Sequence, residues 1–153
     1  SVLQPGQPAP EFEAKLDDGS TFRLADHRGK RNVVLYFYPS DFSSGCTAQA
    51  CWFRDSYASI GAYDAIIVGV SRDSAESHRA FKEKYDLAYP IITDPDGALA
   101  ETFDVRSSLP LIRPRVTYVI DKAGVVRAAF RHDVAIGRHL KDTLAALEAI
   151  KVT

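Results

Sequence analysis

Two unbroken apolar runs constrain this chain more than any other feature. Asn32-Val33-Val34-Leu35-Tyr36-Phe37-Tyr38 is closed by Pro39, and Ala65 to Val70 reads AIIVGV. Both are rich in β-branched and aromatic residues and neither alternates with polar ones, as expected of strands buried on both faces. Between them Cys46, Ala50, Phe53, Tyr57 and Ile60 recur at steps of four and three, the stripe of one amphipathic helix. Strand, loop, helix, strand is a parallel crossover unit, and such units have one preferred hand.

The flanking segments extend this pattern. Phe12, Ala14 and Leu16 are answered by Phe22 and Leu24 across an Asp-Gly turn, an N-terminal hairpin. A second helix is predicted after Val70, with Asp73 as N-cap, Glu76 at capping-box spacing, and an end at Tyr85. Ile91-Ile92-Thr93 is a short strand; Asp94 then caps and Pro95 opens a brief helix carrying Leu99 and Phe103. Residues 116–130 form a hairpin, and Leu140, Leu144, Leu147 and Ile150 mark a closing helix. The expected fold is α/β, a thioredoxin-like sandwich with a mixed central sheet flanked by helices and an N-terminal hairpin. A flavodoxin-like sheet is the alternative, but its Gly-rich first loop is missing, since residues 39–45 carry one glycine.

A chain of 153 residues without repeats or a linker reads as a single domain, residues 1–153. The net charge of −1 leaves no basic excess for a phosphate backbone, which argues against nucleic acid as a partner. No segment reaches the ~20 apolar residues of a membrane span, and the first ten residues lack a leader's basic and apolar regions. A cytoplasmic location is expected. Two cysteines are too few for a secreted disulfide scaffold, and in a reducing compartment such thiols are more often catalytic or metal-binding.

Those cysteines, Cys46 and Cys51, lie five positions apart. Periodicity alone leaves Cys46 open as a small core hydrophobe. Its position adds chemistry. Pro39 ends a strand, and Ser43 or Ser44 is placed to cap the helix, so Cys46 falls in the first turn, where unpaired N–H groups and the dipole favour a thiolate. A thiol with an ordinary pKa near 8.5 is about 3% ionised at pH 7, so complete ionisation raises its rate no more than about 30-fold. A cation must add to that. Arg113 and Arg115, just before the VTYVI run, are the candidates, and spacing alone leaves both open as solvated loop charges.

On a straight helix, residues five apart have Cα atoms roughly 8.5 Å from each other, whereas a disulfide needs less than about 7 Å. Cys46 and Cys51 therefore cannot pair while the helix is intact. His27, His78, His132 and His139 show no paired ligand spacing, so they read as surface or satisfied residues, and neither metal nor cofactor is expected. The residues fit a two-step redox cycle in which peroxide oxidises Cys46 to a sulfenic acid, the first helical turn unwinds, and Cys51 condenses with it.

The segment YFYPSDFSSGCTAQACWFRD resembles the active-site segment of the peroxiredoxins, specifically the peroxiredoxin Q or bacterioferritin-comigratory-protein group. The likeness extends to Pro8-Ala9-Pro10-Glu11-Phe12, to DPDGALAETFDV and to the RVTYVID strand starting at Arg115, with Pro39, Ser43 and Cys46 matching the family's P-x-x-x-(T/S)-x-x-C motif. The resemblance implies that Cys46 is the peroxidatic and Cys51 the resolving cysteine, an atypical two-cysteine arrangement. Pro39 would shield the site, Ser43 would hydrogen-bond the peroxide, and Arg115, rather than Arg113, would hold the thiolate and polarise the O–O bond. It further implies a monomer that reduces hydrogen peroxide and organic hydroperoxides and is recycled by thioredoxin or a similar dithiol. A single-cysteine peroxidase resolved by an external thiol, and a redox sensor or binding module on the same fold, are the alternatives. Ser43, Ser44 and Gln49 stand where many relatives carry Thr, Pro and Glu. The segment 107–114 is short and proline-bearing, a difference bearing on substrate access. Trp52 is expected in the core, and the absence of methionine suits a protein that meets oxidants.

Overall fold

The computed structural model describes residues 2–105, 114–131 and 137–151. A short antiparallel hairpin, β1 (Glu13–Lys15) and β2 (Thr21–Arg23), precedes β3 (Asn32–Phe37), α1 (Ser44–Asp55), α2 (Tyr57–Gly61), β4 (Ala65–Ser71), α3 (Ala75–Tyr85), β5 (Ile91–Thr93), α4 (Ala98–Thr102), β6 (Val116–Ile120), β7 (Val126–Arg131) and α5 (Arg138–Lys151). The central sheet runs β5-β4-β3-β6-β7. β3, β4 and β5 are mutually parallel, while β6 and β7 enter antiparallel. This is the mixed sheet of a thioredoxin-like α/β sandwich.

The apolar run of β3 is continuous because its two faces serve two cores. Val33, Leu35 and Phe37 meet Phe22 and Leu24 of the hairpin region with Leu99 and Phe103 of α4 and its end. Val34, Tyr36 and Tyr38 meet Cys46, Ala50 and Phe53 of α1, Phe81 of α3 and Leu147 of α5. A strand covered on both sides has no solvent face to mark with polar residues.

Several expectations shift. The stripe from Cys46 to Ile60 belongs to two helices, because Ser56 leaves helical geometry (φ −100°, ψ 4°). Hydrogen bonds from Ser56 N to Trp52 O and from Ile60 N to Ser56 O keep the stripe in phase across that break. Trp52 is not a core residue: it is 37% exposed and stands on the outer side of α1, near Gly137. Two residues past Ala50 on a helix is a rotation of about 200°, which carries the indole away from the buried face. The N-cap of α3 is Ser74, whose Oγ accepts from Ser77 N at 3.1 Å. Asp73 is turned elsewhere. Asp94 does cap α4, its carboxylate accepting from Leu99 N and Ala100 N, but the helix begins after Gly97 rather than at Pro95. Arg113 and His132 lie outside the described residues. His78 and His139 are fully buried and hydrogen-bonded, and His27 stacks on Phe22.

Four phenols are buried in or beside the sheet. Tyr36 and Tyr89 bond through their hydroxyls at 2.8 Å, Tyr38 donates to Asp41, and Tyr118 donates to Phe103 O at 2.6 Å. Burial pushes Tyr118 up to about 12 and raises Tyr36, Tyr38 and Tyr89 above the usual phenol value as well. A raised folded-state value stabilises fully below the free phenol value near 10, and that contribution is lost as pH rises through the folded value. The protein is thus expected to resist alkali until about pH 10 and then to unfold as these phenols ionise. The absorbance rise from the four buried phenols and the loss of far-UV circular dichroism, followed together from pH 8 upward, should coincide. Ionisation of all the tyrosines with the fold intact would contradict this.

Candidate active site

β3 stops at Phe37, and residues 38–43 carry the chain over the end of the sheet to α1. Ser43 is the N-cap by position, with extended backbone, and Thr47 N bonds to its carbonyl at 2.8 Å. Its hydroxyl does not cap. It donates to Ser40 O at 3.1 Å, leaving the first-turn amides without a side-chain acceptor from Ser43. First-turn amides and the positive end of a helix dipole suit a small oxygen-bearing or anionic group. Pro39 is half-buried at the foot of the loop.

Cys46 sits in the first turn of α1, 1% exposed, on the face that packs against β3. Arg115 reaches it from the neighbouring strand. Antiparallel pairing sets Phe37 opposite Val116, so the residue before Val116 falls beside the end of β3 where the loop begins. Arg115 is 5% exposed, and its guanidinium forks between two acceptors: Nη2 donates to Cys46 Sγ at 3.2 Å and Nη1 to Gln49 Oε1 at 2.6 Å. An arginine bound at two points is fixed in orientation as well as distance. The arrangement holds a fixed cationic donor against the sulfur.

Gln49 is therefore part of the site, although the sequence marked it only as a departure. The signal was present: position 49 is one turn after Cys46, on the same face of the helix. Its own Nε2 is buried and has no hydrogen-bond partner among the described residues. Substituting Gln49→Leu removes the acceptor that holds one arm of Arg115, and the rate of Cys46 oxidation is expected to fall about tenfold, equivalent to ~1.4 kcal/mol. Stopped-flow mixing with hydrogen peroxide measures it, and an unchanged rate would show that Arg115 keeps its orientation without Gln49.

Cys51 is half-buried, and both cysteines are free thiols. They lie within one continuous helix, so the roughly 8.5 Å Cα separation of an ideal helix applies and no bridge can form in this state. Tyr89 OH bonds to Ala50 O at 3.2 Å, fastening α1 from below just before Cys51. Among the described residues no helix is long and apolar enough to cross a membrane.

The chain is similar to known proteins of one family. A model of the AhpC/TSA family matches residues 5–129. Peroxiredoxin Bcp of Bacillus subtilis is 41% identical over 153 residues, covering 96% of each chain. The chloroplastic peroxiredoxin Q of Sedum lineare is 40% identical, with 95% of this chain and 78% of that protein covered. Among solved structures, the bacterioferritin comigratory protein of Xanthomonas campestris, described in terms of alkyl peroxide reduction, superposes with a TM-score of 0.83 at 33% identity, covering 90% of each chain.

Proposed function

The chain belongs to the AhpC/TSA family, in its Bcp and peroxiredoxin Q group, and is a thiol peroxidase; on that premise we propose that Cys46 is its peroxidatic and Cys51 its resolving cysteine. The Cys46 thiolate attacks the outer oxygen of a hydroperoxide. The O–O bond breaks, the sulfur loses two electrons and becomes a sulfenic acid, and the remaining oxygen leaves as water or an alcohol once protonated. Arg115 holds the thiolate and stabilises charge on both peroxide oxygens. The Ser43 hydroxyl, already donating to Ser40 O, accepts the peroxide's O–H, and Pro39 keeps bulk water from the sulfur.

The start of α1 then unwinds. The Cys51 thiol condenses with the sulfenic acid, one S–S bond forms, and water leaves. A dithiol reductant of the thioredoxin type restores both thiols. The enzyme works as a single-domain cytoplasmic monomer on hydrogen peroxide and organic hydroperoxides.

Support comes chiefly from the 3.2 Å contact between Arg115 Nη2 and Cys46 Sγ, a charge-assisted donor held on a buried sulfur. One equivalent of hydrogen peroxide added to the reduced protein should consume both thiols and leave a species lighter by two hydrogens. Two thiols persisting after excess oxidant would remove the basis for this assignment.

A further inference from the structure

A second buried polar cluster joins the loop that leads to Cys46 to α3. Asp41, 8% exposed, accepts from three side chains: Tyr38 OH at 2.5 Å on Oδ1, and Ser77 Oγ at 2.8 Å and His78 Nδ1 at 2.7 Å on Oδ2. Its backbone N–H donates to Asp73 Oδ2 at 2.7 Å, an oxygen that also accepts from Ser71 Oγ at 2.9 Å. With Nδ1 on a carboxylate, the network assigns the proton of neutral His78 to Nδ1. His78 Nε2 is left buried with no partner among the described residues. The three groups Asp41, Asp73 and His78 lie within 4.8 Å of one another, and Asp41 bonds to both of the others.

Such a cluster is a poor device for stability alone, since well-packed apolar residues of similar volume usually do as well and leave no orphaned nitrogen. What it does supply is position. Every fastener belongs to the residue after β3, the end of β4 and the turn that follows it, or the first turn of α3; none belongs to α1. The next residue repeats the pattern. Phe42 has φ +66°, a left-handed backbone that a bulky residue adopts only when its surroundings hold it there. Its ring packs on Phe81 at 5.2 Å and Tyr85 at 6.4 Å, both on α3.

We propose that Asp41, gripped by His78 and Asp73, is a positioning residue for Cys46: it anchors to α3 the loop that carries Pro39 and Ser43 into α1, and so holds the start of α1 in its folded arrangement. The inference rests on the cycle proposed above. Peroxide reacts with the folded arrangement, whereas the sulfenic acid meets Cys51 only in the unwound one. An anchor that favours the folded arrangement therefore speeds the first step and restrains the second, and loosening it moves the two rates in opposite directions. A residue that merely supports the fold would not produce that split.

The test is rapid mixing of each full-length reduced protein with hydrogen peroxide, timing sulfenic acid and disulfide separately by quenching and mass spectrometry. His78→Phe keeps a ring of similar size and drops the Nδ1 bond; Asp41→Ala removes all three acceptor contacts. In both, sulfenic acid formation is expected to slow about tenfold and disulfide closure to accelerate about threefold, with less sulfinic acid formed under excess peroxide. Asp41→Asn retains Oδ1 for Tyr38 and can bond His78 in its other tautomer, so it should fall between wild type and Asp41→Ala. Ser77→Ala, which leaves Tyr38 and His78 on the carboxylate, should show the same opposed shifts at smaller size and covers the case in which the larger changes unfold the protein. Unchanged rates, both steps slowing together, or Asp41→Asn behaving like Asp41→Ala would overturn the proposal. Wild-type protein that forms neither sulfenic acid nor disulfide would overturn the peroxidase cycle itself, a distinct result.

Discussion

Replacing Arg115 by methionine is expected to slow oxidation of Cys46 by hydrogen peroxide by about a thousandfold while the protein stays folded. The side chain donates to Cys46 Sγ at 3.2 Å from a position almost sealed from solvent. A hydrogen bond from a charged donor contributes roughly 1.5–3 kcal/mol, and the same guanidinium stabilises charge moving onto the departing oxygen by about as much again. Together these give about 4 kcal/mol, or three powers of ten. Methionine has similar length and no charge to bury, so the structural cost is the loss of Gln49's donor, about 1–3 kcal/mol. Arg115→Lys should fall between the two, because one ammonium keeps the charge but cannot reach both acceptors in the fixed fork geometry. Stopped-flow rates with matched thermal melts decide the matter. A loss below tenfold in the methionine variant would take Arg115 out of the chemistry.

The second large effect concerns Cys51→Ser. Sulfenic acid on Cys46 should still form at the wild-type rate, since serine at position 51 alters neither Arg115 nor the first turn of α1. Without an internal thiol to condense with, that sulfenic acid should persist and proceed to sulfinic acid under excess peroxide. Turnover with thioredoxin is expected to fall at least about a hundredfold, set by how slowly an external thiol can reach a sulfur that is 1% exposed. Serine is nearly isosteric and Cys51 is only half-buried, so stability should change by less than about 1 kcal/mol. Trp52, next to Cys51 and on the outside of the helix, reports the motion: its emission should shift on oxidation in wild type and stay unchanged in the variant. Undiminished thioredoxin turnover in Cys51→Ser would favour the single-cysteine mechanism. A wild-type protein that oxidises once and is never turned over would favour the sensor.

The fold could be read from local pattern wherever one residue's neighbours in sequence are also its neighbours in space. The β3 and β4 runs, the hairpins and the apolar stripe of α1 are of this kind. Capping was less legible. Asp73 and Ser74 are adjacent and both suited to the end of α3; Ser74 takes the role because Asp73 is engaged by the amide of Asp41, 32 residues away. Trp52 was misplaced because an aromatic residue suggests a core, whereas helical phase turns it outward.

By itself the sequence determined the order and type of most elements, the two thiols, and their separation on one helix, because periodicity and helical rise are properties of consecutive residues. Only the tertiary structure decided that Arg115 grips Cys46 and Gln49 together and that Asp41 is anchored by His78. Those contacts depend on ångström distances and on the antiparallel register of β6 against β3, which join residues 66 and 69 positions apart in one case and 37 in the other. Hydrogen-bond energy falls off within a fraction of an ångström, a scale that spacing along the chain does not encode.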